Sequence, residues 1–155
     1  MKKINSIFLM FLVLSIQAQE FSRKDSLRGT LTPVRTCYDV TYYHLKLSVK
    51  PDKKYIEGFS DIHFKATSNF TKIQIDLFEN MNISTIEFEG EPLNFNREFN
   101  AVFIHFNRMI QKGEQSNIQV YFNGNPREAV NPPWDGGFSW KKDENGKDWI
   151  GVSCQ

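Results

Sequence analysis

The sequence lacks a strong charge bias, a cysteine-rich framework and any apolar run long enough to cross a membrane. Its 19 basic residues nearly balance its 18 acidic ones, which argues against a nucleic-acid-binding protein or a polybasic membrane-binding surface. Two cysteines, Cys37 and Cys154, are too few for a disulfide scaffold. They are either buried free thiols or the two ends of a single bridge.

Catalytic sequence motifs are also missing from the chain. There is no HExxH, no G-x-S-x-G, no P-loop and no dinucleotide-binding glycine pattern. The three histidines, His44, His63 and His105, lie in separate segments, and none belongs to a closely spaced pair of metal ligands. We therefore predict no catalytic residue and no metal ligand within these 155 residues.

The N-terminus has the pattern of a secretory signal peptide. Lys2 and Lys3 precede an apolar run from Ile4 to Ile16, which ends near Ala18. The run is shorter than the roughly 20 apolar residues that a membrane-spanning helix needs. Residues 1–18 are thus predicted to be a signal peptide, and the protein is predicted to be secreted or periplasmic.

Most of the remaining chain alternates apolar and polar residues with the period of two that is typical of β-strands. The apolar positions of these segments are Tyr43, Leu45, Leu47, Val49, Ile56, Ile62, Phe64, Ala66, Ile73, Ile75, Leu77, Ile86, Phe88, Val102, Ile104, Phe106, Ile118, Val120 and Phe122. Short strands divided by turn clusters such as "EGEP" and "FNGNP" predict an all-β fold, an antiparallel β-sandwich. Residues 19–36 show neither a strand nor a helix period and are predicted to be an extended lead-in to a β domain over residues 37–155.

The last 30 residues differ in composition from the strands before them, with prolines, glycines and tryptophans close together in "NPPWDGGFSW". Trp134 and Trp140 either plug one end of the sandwich or, together with Phe138, form an exposed aromatic surface for a carbohydrate or protein. Asn145-Gly146 is well suited to a hairpin turn. The final "DWIGVSCQ" has the pattern of a strand with no closing turn, so we expect the β domain to be incomplete at this end.

Several of these segments together resemble the N-terminal domain of M1-family zinc aminopeptidases, those similar to aminopeptidase N, of the secreted bacterial type. The opening "CYDVTYYHLKLSVKPDKKYIEGFSDIHFKA" is similar to the family's Tyr-Asp-Val, Tyr-x-Leu and I-x-G strands. "IQIDLFENMNISTIEFEG", "VYFNGNP" and "NPPWDGGFSWKKDENGKDWIGVSCQ" continue the resemblance in the family's order. It extends over residues 35–155.

The resemblance implies a saddle-shaped all-β domain that packs, in the intact enzyme, against a zinc-containing catalytic domain. The Gly-x-Met-Glu-Asn and HExxH elements of that catalytic domain are absent from this sequence, so the chain alone is expected to bind no zinc and to be inactive. The resemblance also implies that Gln155 helps to hold the free α-amino group of a peptide substrate. The alternative is a free-standing secreted binding module that uses Trp134, Phe138 and Trp140.

Overall fold

The computed structural model describes residues 21–154, so the predicted signal peptide and Gln155 lie outside the described residues. The described part contains two short α-helices, α1 (Arg23–Gly29) and α2 (Pro33–Thr36), and a 3₁₀ turn, Pro51–Lys53. Its strands are β1 (Tyr38–Lys50), β2 (Tyr55–Ala66), β3 (Phe70–Asp76), β4 (Met81–Phe88), β5 (Glu91–Pro92), β6 (Asn94–Glu98), β7 (Ala101–Ile110), β8 (Gln115–Gly124), β9 (Gly137–Lys142) and β10 (Asp148–Ser153).

These strands form three sheets. The largest has five strands in the order β1-β2-β8-β4-β5, and a second has three in the order β3-β7-β6. A separate hairpin of β9 and β10 follows them. Neighbouring strands within every sheet are antiparallel, which confirms the predicted all-β class.

The main core lies between the five-stranded and three-stranded sheets. Val102, Ile104 and Phe106 alternate along β7 and point into it, as their spacing predicted. From the facing sheet, Ile62 and Phe64 of β2 enter the same cluster. The predicted inward positions Ile56, Ala66, Ile73, Ile86, Phe88, Ile118 and Val120 are also buried.

The segment predicted to be extended instead contains α1 and α2, so that prediction was wrong. Ser22 caps α1 through a capping box with Asp25, and Leu27 is buried against Ala101 and Phe103 on the outer surface of the three-stranded sheet. A helix of seven residues with one buried apolar side chain leaves no helical period to detect. The buried amide of Gln74 donates a 3.0 Å hydrogen bond to the Leu27 carbonyl and ties α1 to β3.

Strand β1 departs from its predicted burial. Tyr43, Leu45, Leu47 and Val49 share one face of the strand, as predicted, yet all four are exposed. Only Tyr38 and Val40, nearer the start of β1, pack against the main core. The reason is that β1 is an edge strand of the larger sheet, and in the described part of the chain the opposing sheet does not extend over its second half.

Gly58 lies where β1 and β2 approach each other very closely. A Cβ atom at this position would lie 1.9 Å from the carbonyl oxygen of Lys46 on β1. No side chain larger than hydrogen fits such a contact unless the backbone of β1 moves. A side chain in place of the glycine of the "YIEGF" segment would therefore disturb the pairing of β1 with β2.

Tyr38 joins the two sheets through its phenol. Its hydroxyl donates a 2.7 Å hydrogen bond to the carbonyl oxygen of Gln74 on β3. Its ring meets Phe64 edge to face, with 6.0 Å between the ring centroids. Burial raises the pKa of the Tyr38 phenol from 10.0 to about 12, since the charged form would lose its hydration.

Candidate functional site

The β9–β10 hairpin carries the residues that the sequence singled out near the C-terminus. Its two strands pair from Lys142 with Asp148 down to Gly137 with Ser153. Gly146 occupies the turn with a φ of 76°, a left-handed conformation that suits glycine, which confirms the predicted Asn145-Gly146 turn.

A short stretch before the hairpin anchors it to the rest of the molecule. The backbone N–H of Phe138 donates to the Arg127 carbonyl, and the N–H of Ala129 donates to the Phe138 carbonyl, at 2.8 and 3.0 Å. Glu128 in turn forms a 2.7 Å ion pair with Lys54, next to the β1–β2 turn. The hairpin is thereby held at the turn end of the first two strands.

The three aromatic residues of this region occupy different environments. Phe138 and Trp140 are half-buried and stack on each other, with 5.3 Å between centroids and 19° between ring planes. Trp134 is 81% exposed on the preceding loop. That loop is ordered by Asp135, whose carboxylate accepts hydrogen bonds from the N–H groups of Val130 and Asn131. Trp134 is therefore exposed rather than a plug, while Phe138 and Trp140 pack on each other outside the two core clusters.

Gln155 follows β10 by two residues and lies outside the described residues, so its predicted contact with a substrate stays a prediction. Cys154, beside it, is exposed, whereas Cys37 is buried under the main core. The two cysteines are not bridged to each other, and of the predicted buried free thiols only Cys37 is buried. Burial raises the pKa of the Cys37 thiol.

The histidines fall into two places. His105 lies on β7, where its Nε2 is 2.9 Å from Oδ1 of Asn96. His44 and His63 lie on the adjacent strands β1 and β2 and share the solvent-facing side of the larger sheet with Asp61. Within residues 21–154 no three His, Cys, Asp or Glu side chains are arranged to hold a metal ion, so these residues do not fit a zinc site.

A groove opens between the two sheets beside the uncovered half of β1. It encloses about 540 Å³ and is lined mainly by apolar side chains, among them Val40, Leu45 and Phe122. Arg35 and Asp76 form a 2.8 Å ion pair at its polar end. The groove was not predicted, because the alternation of β1 shows which side chains share a face but not what covers them.

The described helices include none long and apolar enough to cross a membrane. No protein-family model matches the sequence, and no curated protein matches it.

Solved structures do resemble the fold. An M1 zinc metallopeptidase from Deinococcus radiodurans is 21% identical, with a TM-score of 0.57 over 70% of this chain and 27% of that one. A two-domain M1 zinc metallopeptidase mutant bound to L-arginine is 19% identical, with a TM-score of 0.56 over 73% of this chain and 28% of that one. Yeast LTA4 hydrolase in complex with bestatin is 14% identical, with a TM-score of 0.53 over 74% of this chain and 18% of that one.

The chain thus spans 18% to 28% of the length of these structures. At such low identities the likeness concerns the fold. The described chain has the antiparallel β fold of the N-terminal domain of M1 metallopeptidases.

Proposed function

We propose that this chain is the N-terminal domain of a zinc-dependent aminopeptidase, in which it forms one wall of the substrate cleft. The likeness to several M1 zinc metallopeptidases, over about seven-tenths of this chain but about a quarter of theirs, carries the proposal. Another solved structure that this chain resembles, a mutant M1 zinc metallopeptidase from Deinococcus radiodurans, has a Tyr-Ser-Ala substrate bound. In this proposal another part of the protein supplies the zinc, its ligands and the catalytic groups.

The β9–β10 hairpin is the part of this chain that we expect to meet the substrate. Its Gly137/Ser153 end, from which Gln155 follows, is joined to the preceding segment by the backbone hydrogen bonds of Phe138, and Glu128 of that segment pairs with Lys54. Gln155 comes just after β10. Its amide oxygen would accept a hydrogen bond from the α-ammonium group of a peptide, which favours substrates with a free N-terminus.

The reading frame beyond Gln155 tests the proposal most directly. We expect it to encode a Gly-x-Met-Glu-Asn segment followed by HExxH. The protein made from that whole frame should then hydrolyse aminoacyl anilides. A verified stop codon directly after Gln155, with neither motif nearby, would refute the proposal.

Gln155 has its own test in the same protein. Loss of one hydrogen bond to a charged group costs about 1.5 to 3 kcal/mol, so Gln155→Ala should lower kcat/KM by roughly tenfold or more. Gln115→Ala, at an exposed position at the start of β8, is the matched control and should leave kcat/KM unchanged. Equal kinetics for the two variants would show that Gln155 does not contact the substrate.

Export is the second part of the proposal and rests on residues 1–18 of the sequence. Expression with a cleavable reporter should place the protein outside the cytoplasm, with a mature N-terminus near Gln19. Retention of Met1 in the purified protein would contradict it.

A free-standing binding module is the second candidate function. The observation in its favour is Trp134, whose side chain is 81% exposed on an ordered loop. Trp134→Ala should then abolish binding of a carbohydrate or protein ligand by the chain alone, whereas the aminopeptidase proposal predicts no such ligand at this loop.

A further inference from the structure

The solvent-facing side of the larger sheet carries a patch of aromatic and polar side chains that the proposed function does not use. We call it the outer face. Strand register places its central side chains in three cross-strand rows from β1 through β2 to β8: Tyr42, His63 and Asn117; His44, Asp61 and Gln119; Lys46, Phe59 and Tyr121.

The rings of the outer face touch one another across strands. Phe59 and Tyr121 lie with centroids 5.4 Å apart, and His44 meets Phe59 edge to face at 5.8 Å. Tyr42 packs against His63 in the same way at 5.4 Å, yet its side chain stays 59% exposed. The result is a set of aromatic rings that hold each other in place at the surface.

Polar side chains between the rings form a hydrogen-bonded cluster. Asn117 donates a 2.6 Å bond from its amide to one carboxylate oxygen of Asp61, and Nε2 of His63 is 3.3 Å from the other. The Tyr121 hydroxyl donates to Oε1 of Gln119 at 2.8 Å. Asn117 thus uses its amide nitrogen and Gln119 its amide oxygen. Within residues 21–154 the remaining atoms, Oδ1 of Asn117 and Nε2 of Gln119, have no side-chain partner.

The composition of this face narrows the ligand class. Along β1, β2 and β8 the aliphatic side chains take the opposite side of the sheet, so the apolar surface here comes from rings alone. Protein interfaces are depleted of charged residues at their centres, whereas the centre of this face holds the carboxylate of Asp61. Asp61 and Glu57, which pairs with Lys50 at 2.6 Å, balance the charges of Lys46 and Lys50, so this face has no excess of positive charge to attract a polyanion such as a nucleic acid.

We propose that the outer face binds a neutral oligosaccharide. The apolar C–H face of a pyranose stacks on Tyr42 and its neighbouring rings. Sugar hydroxyls both donate and accept hydrogen bonds, and so they match the acceptor of Asn117 and the donor of Gln119. The site lies on the β1-β2-β8 surface of the larger sheet, whereas Trp134 lies on the loop before β9.

Two adjacent tyrosines of β1 provide a matched test. Tyr42 and Tyr43 are 59% and 60% exposed, but they lie on opposite faces of the same strand. Titration calorimetry with cellohexaose and chitohexaose should show saturable binding to the full chain. Tyr42→Ala should weaken it about tenfold, the effect of losing one stacking contact, while Tyr43→Ala should leave it unchanged.

A second variant checks the polar part of the site. Gln119→Ala removes the oriented amide and should also weaken binding severalfold, with circular dichroism confirming that each variant is folded. The proposal is refuted if no neutral oligosaccharide binds, if Tyr42→Ala and Tyr43→Ala behave alike, or if heparin binds in a Tyr42-dependent way instead. Peptidase activity plays no part in this assay, so its outcome is independent of the aminopeptidase proposal.

Discussion

Replacing Tyr38 by phenylalanine should change how the stability of the protein depends on alkaline pH. The phenol donates a 2.7 Å hydrogen bond to the Gln74 carbonyl between the two sheets. Its pKa is raised from 10.0 to about 12, chiefly by burial. Tyr38→Phe keeps the ring against Phe64 and removes only the hydroxyl.

The size and sign of the effect follow from linkage between ionisation and folding. The tyrosine ionises near pH 10 in the unfolded chain and near pH 12 in the folded one. Its contribution to stability is therefore complete below pH 10 and is lost as the pH rises from 10 through 12. A difference of about two pKa units corresponds to roughly 3 kcal/mol of free energy of unfolding.

Two opposing effects separate the variant from the wild type. At neutral pH, Tyr38→Phe should be less stable by about 1 kcal/mol, because it loses the hydrogen bond. In stronger alkali the variant lacks the ionisation that destabilises the wild type. The two curves of unfolding free energy against pH are thus expected to cross near pH 11, in the middle of the titration.

Urea unfolding followed by tryptophan fluorescence, repeated at intervals between pH 8 and pH 12, measures both curves. Tyr42→Phe, at an exposed tyrosine on the opposite face of the same strand, serves as the control and should track the wild type throughout. A difference between wild type and Tyr38→Phe that stays constant across this pH range would refute the reasoning, since it would mean that the phenol ionises alike in both states.

Three further predictions concern stability and thiol chemistry. Gly58→Ala should lower the free energy of unfolding by about 3 kcal/mol, because the new Cβ meets the β1 backbone. Gly29→Ala is the control in the same urea titration. A Cβ there has no atom within 4 Å, so the free energy of unfolding should change by less than about 0.5 kcal/mol. Phe64→Ala should cost about 4 kcal/mol through the cavity it leaves; a loss below about 1 kcal/mol would contradict its placement in the core. Ellman's reagent should label Cys154 quickly and Cys37 only after unfolding, and equal rates would disprove the burial of Cys37.

The sequence predicted the core well in strands that face the opposing sheet along their length. Alternation in β2, β7 and β8 identified Ile62, Val102, Ile104 and Ile118 as inward-facing, and all are buried. The same alternation in β1 wrongly predicted that Leu47 and its neighbours would be buried. A period of two shows that side chains share one face of a strand, but whether that face is buried depends on which sheet packs against it.

The outer face could not be predicted from the sequence for a related reason. His44 and His63 are 19 residues apart in the sequence. The register of β1 with β2 places His44 directly opposite Asp61, on the same face of the sheet as His63. Each histidine by itself resembles an ordinary polar strand residue. Long-range pairing, which the local pattern does not encode, turns these scattered residues into a site.

The uncovered half of β1 has a practical consequence for anyone handling this chain alone. Its free edge exposes backbone N–H and C=O groups beside Leu45, Leu47 and Val49, a combination that templates pairing with another molecule and promotes aggregation. Lys46 and Lys50 on the same strand oppose this by mutual repulsion between copies. Solubility should therefore fall as salt screens those lysines, and a charged residue in place of Leu47 should restore it.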